Sequence, residues 1–318
     1  MKPTPADVIE AAPRLRGKVL RTPLVQSPWL SSATGADVWL KLENQQHQGS
    51  FKARGAFNAL MQCGVPRAVT ASAGNHGRAM AFAARDLGIA LTVFTPTTAP
   101  KAKLDPIRAH GAALELCASY DEAEHRAIAH ARATGVPYIS PYNHRDVIAG
   151  AGTVGLEILE DLPQVDSIFA GVGGGGLISG VGLAAQALAP HPRVMGVEAA
   201  ASPVFTSSLA AGRLVAVEVH PTLADGLAGN AEPGSVTFDL VRDMQIPVHA
   251  VSEPQIRVAM LGLLEHHGQR AEGAGAVAVA ALLAGVFGIR GRRVAVIVSG
   301  GNVDPGRLLQ QEPGAEGE

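Results

Sequence analysis

Residues 68–94 read AVTASAGNHGRAMAFAARDLGIALTVF, and this stretch holds the unit from which we expect the whole fold to be built. An apolar run at 68–71 leads through the small turn Ser72-Ala73-Gly74 into a segment, 75–87, whose apolar residues recur at helical spacing. A second apolar run follows at 90–94. The pattern predicts a strand, a helix and a second strand, which is the repeating unit of a parallel sheet.

The same alternation continues in both directions along the chain. It predicts further strands at 37–42, 112–117, 167–171, 194–198, 247–251 and 294–298. It predicts further helices at 5–15, 51–61, 101–109, 120–133, 147–162, 176–188, 236–244, 254–267 and 275–283. Residues 20–24 are expected to form a connector, and 199–230 to be less regular. Strands and helices that alternate in this way predict an α/β fold with parallel sheets covered on both faces.

Composition and charge indicate a protein that acts on small molecules. Apolar residues make up 47% of the 318 residues, and a net charge of -2 gives no basic footprint for nucleic acid. Asp7 and Glu10 interrupt the stretch where a signal peptide needs an apolar run, so we expect no membrane association and a cytoplasmic protein. Cys63 and Cys117 form no CxxC pair, which argues against a disulfide framework or a zinc site.

A lysine stands near the start of one predicted helix, in Ser50-Phe51-Lys52-Ala53-Arg54-Gly55-Ala56. Ser50 is the expected N-cap, which places Lys52 in the first turn. The N–H groups of a helix start carry partial positive charge, and burial also disfavours an ammonium, so both effects favour the neutral amine. A neutral lysine amine attacks carbonyls or removes protons. The alternative is a solvated lysine whose stem covers the first turn.

A run of four glycines between a predicted strand and a predicted helix is a candidate phosphate site. In Phe169–Leu177, backbone N–H groups and the helix dipole form an anion cradle. The run lacks the G-x-x-x-x-G-K-[ST] spacing and comes too late in the chain for a dinucleotide fingerprint, so a single phosphate fits better. The alternative is close packing of the helix on the strand.

Polar side chains mark two other turns. In Thr70–Gly77, the Ser72 hydroxyl, the Asn75 amide and the free N–H groups of a helix start suit a small carboxylate; the alternative is that both residues are ordinary N-caps. Ser299-Gly300-Gly301-Asn302 leaves the carboxyl end of the last predicted strand, at the edge where α/β sheets bind ligands. The alternative there is an ordinary turn.

In order and spacing, these four motifs resemble those of the fold-type II pyridoxal-phosphate enzymes, and most of all the threonine/serine dehydratases and serine racemases. The resemblance covers nearly the whole chain. It implies an α/β architecture like that of the tryptophan synthase β subunit, with two open doubly wound domains and pyridoxal 5′-phosphate in the cleft between them. We expect residues 1–64 and 144–318 to form the large cofactor-binding domain and 65–143 the small domain.

The resemblance also implies roles for individual residues. Lys52 is similar to the catalytic Schiff-base lysine, and Phe51 to the residue beside the ring. The other implied cofactor contacts are Asn75 at the ring hydroxyl, Ser299 at the pyridine nitrogen, Gly226 near the ring, and Gly173, Gly174, Gly175, Gly176 and Leu177 at the phosphate. The substrate carboxylate is expected to meet Ser72, Gly74, Asn75 and His76. Tyr142 and Asn143 fall near a family position close to the active site.

The reaction implied by the resemblance is loss of water from a β-hydroxy amino acid such as L-threonine or L-serine, giving a 2-oxo acid and ammonia. A neutral Ser299 hydroxyl does not hold the ring nitrogen protonated as a carboxylate would, which favours prompt β-elimination over transamination. Ala73 stands where similar racemases carry a second serine, so efficient racemisation is not expected. Glu198 matches one ligand of the family's divalent-cation site, but Val204 replaces another, so we expect no metal. No effector-binding regulatory domain is expected after Asn302.

Several alternatives stay open. Within the fold they are a dehydratase for a rarer substrate of the hydroxyectoine-derived, 3-hydroxyaspartate or phenylserine type, an amino-acid racemase, or a cysteine-synthase-like enzyme, which the sequence Ser-Ala-Gly-Asn-His at 72–76 disfavours. From other classes they are a non-catalytic carrier of the vitamin phosphate and a phosphate-binding protein without pyridoxal. The expected partner is a small amino-acid substrate, with no nucleic acid or membrane, and the expected assembly is a homodimer or homotetramer.

Overall fold

The chain forms two sheets from separate parts of the sequence. The computed structural model describes residues 2–187, 192–232 and 234–303. The strands are β1 Leu24–Gln26, β2 Asp37–Leu42, β3 Arg67–Ala71, β4 Ala90–Pro96, β5 Ala113–Cys117, β6 Ser167–Gly171, β7 Arg193–Ala199, β8 Val248–Val251 and β9 Arg293–Val298. Six strands form the larger sheet in the order β1-β2-β9-β6-β7-β8, and three form the smaller sheet in the order β3-β4-β5.

Helices surround both sheets. They are α1 Pro5–Leu15, α2 Pro28–Thr34, α3 Lys52–Gln62, α4 Asn75–Leu87, α5 Lys101–Ala109, α6 Tyr120–Thr134, α7 Arg145–Asp161, α8 Gly176–Ala187, α9 Val204–Ala211, α10 Val236–Asp243, α11 Glu253–His267 and α12 Gly273–Leu283. Across the three described ranges, no helix combines the length and the apolar character that crossing a bilayer requires.

The direction of the strands brings the loops of the larger sheet together. Its neighbouring strands are parallel except for β1 and β2, and the β2–β9 pair runs from Asp37 beside Arg293 to Leu42 beside Val298. Because parallel strands end at the same edge, the loops that follow β2, β6 and β9 meet there. The smaller sheet is parallel throughout, and β3 ends directly before the turn that leads into α4.

Alternate side chains of the central strand β9 show how the larger sheet is covered. Val294, Val296 and Val298 pack with α2, α11 and α12 on one face. Ala295 and Ile297 pack with α7, α8 and α10 on the other face. Since successive strand residues point to opposite faces, a strand buried on both sides is continuously apolar, as this one is.

Helix α3 lies between the two sheets and contacts elements of both. Phe57 is buried in the core of the smaller sheet together with residues of α4. On the other side, α3 and α7 approach so closely that a Cβ on Gly150 would lie 2.5 Å from the carbonyl oxygen of Arg54, and one on Gly55 would lie 2.8 Å from that of Val147. The absence of these two side chains therefore lets the helices meet backbone to backbone.

Most of the predicted elements are confirmed, with ends that shift by one or two residues, and the errors involve short elements. The connector predicted at 20–24 overlaps strand β1, which has 3 residues and pairs antiparallel, and helix α2, which has 7, follows it. The region predicted as less regular contains α9, which has 8 residues. Elements this short give a weak periodic signal, although α10, also of 8 residues, was predicted. The predicted helix end at Leu188 lies outside the described residues.

The prediction that Ser50 caps the lysine helix is wrong. Phe51 occupies the N-cap position, and the Ser50 hydroxyl is buried without a hydrogen-bond partner among the described residues. The reason is tertiary, because the Ser50 backbone forms an antiparallel bridge with Gly300 at the end of β9. Lys52 nevertheless lies in the first turn, as predicted.

Candidate active site

The lysine helix starts directly against the loop that follows β9. The Phe51 N–H donates to the Ser299 carbonyl at 3.1 Å, which joins two of the predicted motifs through the backbone. Lys52 is partly buried, and its Nζ donates to the Pro141 carbonyl at 2.8 Å and lies 5.2 Å from the centre of the Phe51 ring. Desolvation lowers the pKa of Lys52 to about 8, against an opposing effect of the nearby Glu272 carboxyl. The lowered pKa of Lys52 therefore agrees with the neutral amine expected from the sequence.

The four glycines form a turn between β6 and the start of α8, and side chains of three other segments lie against them. A Cβ on Gly173 would come within 2.9 Å of Leu227, and one on Gly174 would overlap the Tyr142 ring. Gly175 has a φ of +82° and faces Phe205. With no side chains of their own, these residues let the neighbouring segments pack directly on the turn. The first N–H groups of α8 have no acceptor within the helix, which suits an anion.

Ser299 and Gly226 meet at the first turn of α12. The Ser299 hydroxyl is buried and donates to the Ala274 carbonyl at 3.3 Å. A Cβ on Gly226 would lie 3.2 Å from the Ala274 Cβ, so the loop containing Gly226 passes close to the same residue. Two positions that are 73 apart in the chain are thus neighbours at this edge of the larger sheet.

The turn from β3 into α4 brings the predicted carboxylate-binding groups to the same region. Ser72 is buried, and its hydroxyl accepts from the Gly74 N–H at 3.2 Å. Gly74 itself occupies the N-cap position of α4, so neither Ser72 nor Asn75 is the N-cap. A Cβ on Gly74 would have nothing within 4 Å, which leaves space above the free N–H groups of this helix start.

His76 differs from its neighbours because its side chain is turned into the protein. Its ring is buried, and its Nε2 lies 3.0 Å from the Thr70 hydroxyl, which in turn donates to the Ile139 carbonyl at 2.7 Å. Burial, together with the nearby charge of Lys52, lowers the pKa of His76 well below its usual value. A neutral ring brings no positive charge to a carboxylate, so the group of His76 that suits one is its backbone N–H.

Glu272 is a site residue that the sequence analysis missed. It is buried and occupies the N-cap position of α12, where its carboxylate accepts from the Asn75 Nδ2 at 2.6 Å. Burial raises the pKa of Glu272 to about 7, although the Asn75 hydrogen bond acts in the opposite direction. A signal was present in the sequence, since this is a single charged residue directly before a wholly apolar helix.

Tyr142, noted from the sequence only for its position, is part of the site. Its ring covers Gly174, and its hydroxyl accepts from the Glu232 N–H at 2.9 Å. Asn143 lies beside it and donates to the Glu232 carboxylate at 2.8 Å. Glu198, by contrast, accepts from the N–H groups of Phe205 and Thr206 at the start of α9. Its side chain therefore stabilises a helix start, and the expectation of no metal stays a prediction.

Comparison with known proteins identifies the family of this chain. A family model described as pyridoxal-phosphate dependent enzyme matches residues 15–300. The chain belongs to this family. It is 44% identical over 303 residues to a Thermotoga maritima protein named L-threonine ammonia-lyase, a match that covers 94% of this chain and 75% of the relative. A Pseudomonas protein named L-threo-3-hydroxyaspartate ammonia-lyase is 39% identical over 306 residues, which cover 94% of this chain and 95% of that one.

A solved structure extends the comparison to the fold. The structure of maize serine racemase superposes with a TM-score of 0.91 at 34% identity and covers 97% of this chain and 96% of its own. The predicted α/β architecture of the fold-type II enzymes and the predicted dependence on pyridoxal phosphate are thereby confirmed.

The residues brought together also fit pyridoxal 5′-phosphate chemically. The glycine turn before α8 suits the phosphate, and Lys52 offers an amine of lowered pKa to the aldehyde. Ser299 is a neutral hydroxyl that suits the pyridine nitrogen, and Asn75 is an amide that suits the ring oxygen. Each of these contacts was predicted from the sequence, and as a contact to the cofactor each stays a prediction.

Proposed function

We propose that this enzyme is an ammonia-lyase that removes water from a β-hydroxy amino acid, with L-threonine or L-serine as its substrate. The observation that carries the proposal is the position of Lys52, whose amine has a pKa lowered to about 8 and donates to the Pro141 carbonyl. Tyr142, the next residue after Pro141, lies against Gly174 of the glycine turn, and Phe51 is joined to Ser299 through the backbone. The name of the Thermotoga maritima relative supports the same reaction.

Each residue of the site has a separate role in the proposed reaction. When bound, pyridoxal 5′-phosphate supplies the electron sink that makes the Cα–H bond of an amino acid acidic. The Lys52 amine takes the Cα proton, and the Pro141 carbonyl, 2.8 Å from Nζ, fixes the direction of the amine. The N–H groups at the start of α4 bind the substrate carboxylate, in a turn that the Ser72 hydroxyl holds through Gly74.

One feature favours the proposed reaction over the racemase alternative. Ala73, in the carboxylate-binding turn, carries no group that could transfer a proton to the opposite face of Cα, which supports elimination over racemisation. The 3-hydroxyaspartate type is tested directly by assay, because Arg78, whose hydrogen-bond partners Gln48 and Asn302 are neutral amides, keeps a positive charge near the start of α4.

We also propose that residues 1–64 and 144–318 act as the large domain and 65–143 as the small one, with 304–318 outside the described residues. The support is that β3, β4 and β5 all lie between residues 67 and 117, whereas every strand of the larger sheet lies outside 65–143. A homodimer or homotetramer in the cytoplasm is proposed from the family resemblance. Light scattering on the purified protein tests the assembly.

The function is tested by incubating the purified protein and pyridoxal 5′-phosphate with L-threonine, L-serine, 3-hydroxyaspartate and D-serine, and measuring 2-oxo acid and ammonia. We expect release from L-threonine or L-serine, and a fall in kcat of roughly 10²–10⁴-fold or more in Lys52→Ala. Lys101→Ala, at an exposed lysine of α5, is the control and should keep full activity. Turnover of 3-hydroxyaspartate alone would shift the assignment to that substrate. Cofactor binding with no product from any amino acid would indicate a carrier instead.

A further inference from the structure

A chain of polar side chains runs from α4 to the N-terminus of α12 through the loop that follows β9. Arg78 Nη1 donates to Asn302 Oδ1 at 2.9 Å, and Asn302 Nδ2 donates to Asn75 Oδ1 at 2.8 Å. Asn75 Nδ2 then donates to Glu272 at 2.6 Å. The chain thus connects helices on the two sheets, ends on Glu272, and includes the Asn75 amide that is predicted to contact the cofactor.

The direction of these hydrogen bonds is fixed by chemistry at two points. A guanidinium has no acceptor, so the atom of Asn302 that faces Arg78 must be Oδ1. A backbone carbonyl has no donor, so the atom of Asn302 that lies 2.7 Å from the Gln48 carbonyl oxygen must be Nδ2. Both constraints give the same orientation of the Asn302 amide.

The position of Asn302 is fixed as tightly as its orientation. A Cβ on Gly49 would lie 2.5 Å from Asn302 Oδ1, and Gly49 has a φ of +71°, so the Asn302 amide lies directly on the backbone that leads into the lysine helix. The Gly301 N–H donates to the Gly49 carbonyl at 2.9 Å. The Asn302 side chain therefore has little room to rotate.

We infer that Asn302 and Arg78 are positioning residues that hold the Asn75 amide with its oxygen turned away from the cofactor and its N–H₂ group turned toward it. Because Asn75 Oδ1 is occupied by Asn302, one hydrogen of Nδ2 goes to Glu272 and the second stays available to the ring oxygen of pyridoxal 5′-phosphate. The inference rests on the proposed function, since it specifies how one of the cofactor contacts is built.

The decisive variant is Asn302→Asp, which has nearly the same shape but replaces the donor with an acceptor. Two oxygens would then face each other, and the Asn75 amide would move away from Asn302, because turning over would set its Oδ1 against the Glu272 carboxylate. We expect the dissociation constant of pyridoxal 5′-phosphate, measured on the cofactor-free protein, to rise roughly ten-fold or more. The absorbance spectrum of the bound cofactor should also change, because the charge on its ring oxygen loses a donor.

Three further variants separate positioning from general damage. Asn230→Asp adds the same charge at an exposed site and should bind the cofactor like the parent. Arg78→Lys keeps a donor to Asn302 and should retain affinity better than Arg78→Met. If Asn302 acts through Asn75, then Asn302→Asp should have little further effect on affinity in an Asn75→Ala background.

The results distinguish this inference from the proposed function. Additive losses in Asn302→Asp and Asn75→Ala, or an Asn302→Asp protein with unchanged affinity and spectrum, would overturn the inference while the parent still binds cofactor and releases ammonia. A parent protein that binds cofactor but turns over no amino acid would instead overturn the proposed function. Thermal unfolding of each cofactor-free variant confirms that the fold is intact.

Discussion

Replacing Arg54 with methionine should strongly destabilise the protein, because it would leave a buried carboxylate without its cation. Arg54 is fully buried and makes paired hydrogen bonds of 2.9 and 2.7 Å to Glu43, and of 2.6 and 2.9 Å to Glu157. Glu157 keeps a second cation, since Lys41 Nζ lies 2.6 Å from it. Glu43 is also fully buried, and among the described residues it keeps only the Thr22 hydroxyl.

The magnitude follows from this difference between the two carboxylates. Removing one partner of a buried ion pair costs about 3–5 kcal/mol, and here the full penalty falls on Glu43 alone. We therefore expect Arg54→Met to lower the free energy of unfolding by about 4 kcal/mol. The double variant Glu43→Gln with Arg54→Met removes the stranded charge and should recover part of that loss.

The measurement is urea unfolding followed by circular dichroism, with a matched surface arginine as the control. Arg21 also contacts two carboxylates, Glu160 and Asp161, but it is about half exposed. Exposed pairs contribute about 0–1 kcal/mol, so Arg21→Met should stay within that range. Equal losses in the two arginine variants, or no recovery in the double variant, would show that a stranded charge is not the cause.

Three further predictions follow from other contacts. Gly174→Ala should weaken binding of pyridoxal 5′-phosphate about ten-fold or more, measured by equilibrium titration, because its Cβ overlaps the Tyr142 ring. Gly150→Ala should lower the free energy of unfolding by about 1–3 kcal/mol in urea, because its Cβ would lie 2.5 Å from the Arg54 carbonyl oxygen. Glu272 has a pKa raised by burial to about 7 in the folded protein, so its contribution to stability is complete below about pH 4.5 and is lost as the pH rises through 7. Stability curves at several pH values should therefore be flatter over that interval in Glu272→Gln.

The elements with a strong period and clear ends could be predicted from the sequence, and the shortest elements could not. Helix α4 begins and ends where predicted, because its apolar face runs over 13 residues and Gly88 ends it in a left-handed conformation. Strand β2 likewise has its predicted bounds. Strand β1, with 3 residues, is defined only by pairing with β2, which local sequence does not encode.

The family and its cofactor were predicted from the sequence alone, because four short motifs resemble those of the fold-type II enzymes in their residues, order and spacing. What only the tertiary structure decided are the partners of those motifs. Ser50 does not cap the lysine helix, because its backbone forms a bridge with Gly300. Glu272 is part of the site because it accepts a hydrogen bond from Asn75, 197 positions away in the chain. Such contacts arise because the sheets bring loops from distant parts of the chain together. Neither the periodicity of a segment nor the spacing of its motifs predicts which loops will meet.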